Sequence, residues 1–200
     1  MKLTNKDLTI VSVAWNCTQF IQSNWKMLSN YDTYGLEWVI VNNDPEDDLA
    51  KIRDIENFTI VDGVPQDKVK IPQRNRAIHL GSWHHAAGLN KALPHIKTRY
   101  VLFLDPDFYV APPLEDIINH MNDNDLAFFG APYAIDGSTR PSITFPCVYC
   151  LFVDTDKVDI SKFDFTPQPT DLYKGTPMLC LFQNTQKIFI SGRIVFLVFM

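Results

Sequence analysis

Apolar residues in this chain gather in short, dense runs at 8–14, 38–41, 58–61, 100–104, 126–129 and 147–153. The runs are rich in β-branched and aromatic residues and little interrupted by polar ones, as in strands buried on both faces. Between them the period changes. Phe20, Ile21, Trp25 and Leu28 recur at helical spacing, with Asn16 or Thr18 placed to cap the helix. Pro45 opens an acidic helical stretch through Arg53, 77–96 reads as a third helix, and Pro112-Pro113 opens a fourth that runs to about Met121. Strands alternating with helices imply βαβ units. The expectation is a single α/β domain with a Rossmann-like, mostly parallel central sheet flanked by helices. Ligands of such sheets sit at the carboxyl ends of the strands.

Composition narrows the partners. With 200 residues, 46% hydrophobic and 20% charged, the chain is long enough for a proper core and is not of disordered type. A net charge of −5 without any run of Lys or Arg argues against a nucleic-acid partner. It leaves room for a phosphorylated ligand, because a divalent cation can bridge carboxylates to phosphate. The charged start, followed by a brief apolar stretch, does not read as a secretory leader. The apolar stretch 188–200 is broken by Ser191-Gly192-Arg193 and falls short of the about 20 residues a membrane span needs. It reads as a buried strand or docking segment, or as a surface for a partner or a membrane. The four cysteines include Cys147 and Cys150 on one predicted strand, facing opposite sides, with no second half-site for zinc. They read as buried thiols, which fits a reducing cytoplasm.

The sharpest chemical feature is Asp105-Pro106-Asp107, directly after the apolar run 100–104. Two hard oxygen ligands at this spacing can grip one Mn²⁺ or Mg²⁺ and leave positions open for diphosphate oxygens. Asp123-Asn124-Asp125 and Asp154-Thr155-Asp156 share the spacing but not the context. After the first strand comes Ala14-Trp15-Asn16, with no glycine-rich phosphate loop. After the second, Asn42-Asn43-Asp44 places amides and an acid where a base edge can be read, or where a turn needs them. His84 and His85 sit in the third helix beside Ala86, Ala87 and Gly88, small residues that permit close packing on the sheet.

In this order the stretches 9–16, 38–44, 85–92 and 101–107 resemble the nucleotide-sugar glycosyltransferases of the GT-A fold, especially glycosyltransferase family 2. The resemblance covers roughly residues 8–110 as a donor-binding half, leaving a short acceptor-side half at 111–200. It implies inverting transfer of a sugar from a nucleotide diphosphate, a UDP-sugar by family frequency, to a saccharide or other hydroxyl acceptor. Carried over by position, Asp107 is a metal ligand and Asp105 binds the metal or the donor's ribose and sugar. Ala14, Trp15 and Asn16 line the base and ribose pocket. Asn42 stands where the family often has an Asp, with Asn43 beside it, and His85 and Asn90 fall near the donor phosphates or sugar.

An inverting transfer needs a carboxylate base within reach of the acceptor hydroxyl. The family's inverting members often supply it from a Glu-Asp pair well beyond the Asp-x-Asp, and no such pair occurs here. Asp171, after the Pro-rich stretch 166–170, is the first candidate, followed by Asp154 and Asp156. Trp83, Tyr133, Phe145 and Tyr149 can stack on sugar rings or belong to the core. The missing pair keeps open a non-catalytic reading, a nucleotide-sugar or carbohydrate binding module on a degenerate transferase fold.

Overall fold

The computed structural model describes residues 3–30, 35–44, 46, 49–70, 80–111, 113–132 and 146–167. The expectations placed on Pro45, Tyr133, Phe145, Asp171 and the stretch 188–200 lie outside these residues. In chain order the elements are β1 (Leu8–Ala14), α1 (Thr18–Ser29), β2 (Glu37–Asn42), α2 (Ala50–Arg53), β3 (Phe58–Asp62), α3 (Leu80–Ala92), β4 (Tyr100–Leu104), α4 (Leu114–Asp123), β5 (Phe128–Pro132) and β6 (Pro146–Asp154).

All six strands form one sheet in the order β3-β2-β1-β4-β6-β5. The first four are parallel, with Val11 of β1 level with Val39 of β2 and Phe103 of β4. β6 runs antiparallel to both β4 and β5, so the sheet is mixed and the parallel expectation holds for its larger part.

Side chains alternate across the sheet, and each face is covered by helices. On one face Ile10, Trp38, Ile40, Leu102 and Leu104 pack against Ile21 and Leu28 of α1, Ile52 of α2, and Leu114, Ile118 and Met121 of α4. On the other, Val11, Val13, Val39, Val41 and Phe103 meet Ala86, Leu89 and Ala92 of α3, with Phe163 and Phe165 from the segment after β6. Every residue of β1 and β4 is buried, which explains why β4 is apolar throughout and β1 apolar but for Thr9 and Ser12, whose hydroxyls are hydrogen-bonded.

Helix α1 starts after Cys17, without a side-chain cap and without an acidic residue in its first turn. Its stability comes instead from the buried face, where Ile21 and Leu28 contribute about 1.5–3 kcal/mol each. Asn16, expected as a possible cap, takes a left-handed φ of 47° and turns the chain out of β1. The acidic second helix is only Ala50–Arg53 among the described residues. β5 begins later than the apolar run suggests, because Leu126 N–H closes α4 on Met121 O (2.8 Å) and Asp125 turns at φ 54°. Among the described residues no helix is long and apolar enough to cross a membrane.

Candidate functional site

From β1 the chain moves outward to β2 and β3, then returns across β1 to β4. The carboxyl ends of β1 and β4 therefore flank the point where strand order reverses, the usual position of a crevice in such sheets.

The end of β4 is fixed from three sides. Ser12 Oγ of β1 donates to Leu104 O at 2.7 Å, and Asp105 N–H donates to Tyr149 O of β6 at 3.0 Å. Phe108 N–H then closes on Asp105 O at 2.9 Å, making a β-turn whose second position is Pro106, where a fixed φ near −65° is favourable. The third side is α1, whose buried Asn24 donates to Pro106 O (2.8 Å) and Phe108 O (3.2 Å). The turn leaves Asp107 exposed and Asp105 partly so. Asp105 Oδ1 lies 3.1 Å from His85 Nε2 of α3.

Asp105, Asp107 and His85 share an open cleft of about 280 Å³ with Trp15, Asn16 and Phe20. A second cleft of about 310 Å³ abuts it and is lined by Asn43, Gln66, Gly81 and His84, with Trp15 and His85 on the common rim. Each is at the low end of the roughly 300–1,000 Å³ of small-molecule pockets, and the two are contiguous. Trp15 is 48% exposed and stands edge-on to His84, with ring centroids 4.8 Å apart at 81°. His84 is itself held, its Nε2 against Val64 O and its carbonyl accepting from Asn43 Nδ2 at 2.7 Å. Gly88, one turn further along α3, is required by the close approach to the sheet: a Cβ there would lie 2.7 Å from Val13 Cγ1 and 2.9 Å from Asn43 Nδ2.

Trp15, Asn16, His85, Asp105 and Asp107 thus line one cleft. The other expected residues are placed differently. Ala14 is fully buried and contributes its backbone oxygen to Asn43 N–H at 3.0 Å. Asn42 Oδ1 accepts from Asp44 N–H at 3.2 Å within its own loop. Asn43 lines the second cleft, yet both ends of its amide are engaged, Nδ2 with His84 O and Oδ1 with Val64 N–H (3.2 Å). It ties α3 and the chain after β3 to the sheet.

Two expectations are corrected. Asn90 is not among the residues lining either cleft; it donates to Asp164 Oδ1 (2.9 Å) and accepts from Phe165 N–H (2.9 Å), so it anchors the segment after β6. Asp154, offered as a base, is 0% exposed and bonded to Arg99 Nε (3.1 Å) and an Arg99 terminal nitrogen (2.9 Å). It faces Tyr100, the first residue of β4, so antiparallel pairing puts it at the opposite end of the sheet from Asp105. Asp156 belongs to the same Arg99 cluster, at 3.1 Å. Trp83 is buried and does not present a free ring.

Electrostatic shifts follow these contacts. The hydrogen bond to Asp154 outweighs desolvation and holds the Arg99 guanidinium above its ordinary value. Burial pushes the Asp164 carboxyl up, but hydrogen bonds from the Thr166 hydroxyl and backbone and from Asn90 more than offset it, leaving the group below its ordinary value.

Asn24 escaped the sequence reading. Its signal is a polar residue at a helix position whose neighbours on the same face, Ile21 and Leu28, are buried.

Two carboxylates on one turn at a cleft wall form a hard oxygen donor set, suited to Mn²⁺ or Mg²⁺. Among the described residues no group of three or more His, Cys, Asp or Glu side chains converges to hold a metal, so any ion there would draw further ligands from a bound substrate or water.

The mixed α/β sheet with its cleft at the β1/β4 reversal is a GT-A-like fold, shared with solved glycosyltransferase structures. The chain belongs to glycosyl transferase family 2, whose family profile matches residues 9–145. Among solved structures, S. aureus TarS 1-349 aligns with a TM-score of 0.62 and 17% identity over 96% of this chain and 58% of its own. Crystal structures of TarS 1-349 in complex with UDP and with UDP-GlcNAc align at TM-scores of 0.62 and 0.57. The mannosyltransferase PcManGT from Pyrobaculum calidifontis, in complex with GDP-Man and Mn²⁺, aligns at 0.56 and 15% identity over 96% of this chain and 54% of its own. The chain spans little more than half the length of these proteins. No curated protein matches it in sequence.

Proposed function

We propose that this chain transfers a sugar from a nucleotide diphosphate donor, with UDP-sugar as the leading choice, to a saccharide or other hydroxyl acceptor, with inversion. The observation that carries the reading is the Asp105-Pro106-Asp107 turn, held by β1, β6 and α1 so that both carboxylates face a cleft at the β1/β4 reversal. Family membership supports it, and TarS with UDP-GlcNAc and PcManGT with GDP-Man and Mn²⁺ are relatives in fold that take donors of this kind.

In this reading the donor's base and ribose occupy the cleft bounded by Trp15, Gln66 and His84, and the diphosphate lies towards Asp105, Asp107 and His85. Trp15 offers a ring face or edge to the base, while the amide of Asn43 serves as a tether rather than as a base reader. The acceptor oxygen attacks the anomeric carbon, the bond to the β-phosphate oxygen breaks with its electron pair staying on the nucleoside diphosphate, and the acceptor proton passes to a carboxylate. Asp105 and Asp107 would hold Mn²⁺ or Mg²⁺, which when bound neutralises charge on the diphosphate. Asp171 remains the proposed base. A cytoplasmic setting belongs to the same proposal.

The test is a thermal-shift panel of UDP, GDP, CDP and dTDP, each with and without Mn²⁺, on the wild type and Asp107→Asn. A shift with one nucleotide that requires Mn²⁺ and vanishes in the variant is expected. No shift with any pair rejects the metal–diphosphate reading. Donor binding without release of nucleoside diphosphate across an acceptor panel would instead favour the non-catalytic binding module.

A further inference from the structure

Helix α1 turns Thr18, Ile21, Asn24 and Leu28 towards the protein interior, and Asn24 is the anomalous member. It is 1% exposed, and burying an amide is unfavourable unless its hydrogen-bonding groups are satisfied. Both contacts of Nδ2 go to one place, the carbonyls of Pro106 and Phe108 on either side of Asp107. Oδ1 has no hydrogen-bond partner among the described residues. The amide therefore serves no wider polar network. A leucine has the same branched outline, though bulkier, without the unsatisfied oxygen, so what the asparagine adds is its grip on this turn. The other side of the motif is held independently, since His85 contacts the Asp105 carboxylate directly.

We propose that Asn24 is a positioning residue for the Asp105–Asp107 turn. By clamping the two carbonyls that flank Asp107, it fixes the direction of that carboxylate and sets the affinity of the cleft for a divalent cation with a nucleoside diphosphate. The inference rests on the function proposed above and assigns to α1 a role beyond packing. Residues that orient metal ligands typically change metal affinity about 10–100-fold when replaced.

The experiment titrates Mn²⁺ in the presence of UDP or of GDP, following loss of the free-ion electron paramagnetic resonance signal. It compares the wild type, Asn24→Leu, Asn24→Asp and Asp107→Asn, with urea unfolding of each. Leu removes both donors, and Asp keeps the size but replaces the donating amide with a group that repels the two carbonyls. Folded Asn24 variants that bind Mn²⁺ at least about tenfold more weakly than the wild type support the proposal. Folded variants with wild-type affinity overturn it and leave the transferase reading intact, since the wild type still binds. Failure of both Asn24 variants to fold also overturns it, making the residue a stability element alone. Absence of Mn²⁺ binding by the wild type with either nucleotide rejects the metal–diphosphate reading and this proposal with it.

Discussion

Asp107 and Asp154 each follow or end an apolar strand, yet their surroundings are opposite. One stands in an open cleft, and the other is sealed against Arg99. Removing one member of a buried pair costs about 3–5 kcal/mol when a charge is left stranded. Arg99 is 43% exposed and can turn to water, so Asp154→Asn is expected to cost less, about 1–3 kcal/mol in urea unfolding, with nucleotide binding unchanged. A loss of turnover without loss of stability would restore Asp154 as a base. Asp164 makes a prediction in pH. Its carboxyl is held below the ordinary 3.8, so its stabilisation is complete above that value and is lost as pH falls through the lower folded value. The wild type should therefore exceed Asp164→Asn in thermal midpoint near pH 7, with the gap closing as pH is taken below the ordinary carboxylate value, checked by paired melts. These residues also mark the limit of what the sequence tells. Two aspartates spaced one apart were visible at three places. Whether the 105/107 or the 154/156 pair lies at the cleft depends on strand direction, and nothing in the residues 146–154 states that β6 runs antiparallel. Asn90 was misassigned for a related reason, since its partners lie 74 and 75 positions away in a segment with no pattern of its own.

At the scale of elements, the strands were legible because burial leaves dense apolar runs, with burial complete in β1 and β4 and partial in β3, and α1 and α4 because one face of each is apolar. α3 is different: it lies against the sheet through alanines and Gly88, a contact of backbone and small side chains that gives little periodic signal. Gly88→Ala tests how tightly that contact holds the cleft. Alanine gains about 1 kcal/mol of helix propensity, but its Cβ would sit 2.7 Å from Val13 Cγ1. Overpacking at such sites costs about 1–3 kcal/mol. The expected result is a net loss of stability in urea and weaker nucleotide binding, because His84 and His85 ride on the same helix. A stabilised variant with unchanged binding would show that α3 can shift freely.

For the whole molecule, a ligand that binds only the folded chain adds about 2.7 kcal/mol at 100 times its dissociation constant. In a chain of 200 residues that raises the thermal midpoint by several degrees, so nucleotide with Mn²⁺ should give a shift readable by calorimetry, and Asp107→Asn should not. The reversal of β6 has one more consequence. Pro132 of β5 pairs with Pro146 of β6, and Cys150 of β6 lies opposite Leu104 of β4. The chain thus leaves and rejoins the sheet on the rim that carries Asp105. Lengthening a connection costs only about 0.6 kcal/mol per doubling, so the stretch between these two anchors can be exchanged with little strain on the strands. A spacer inserted between Pro132 and Pro146 should therefore cost little stability in urea unfolding, while the β4–β6 pairing beside Asp105 keeps its register.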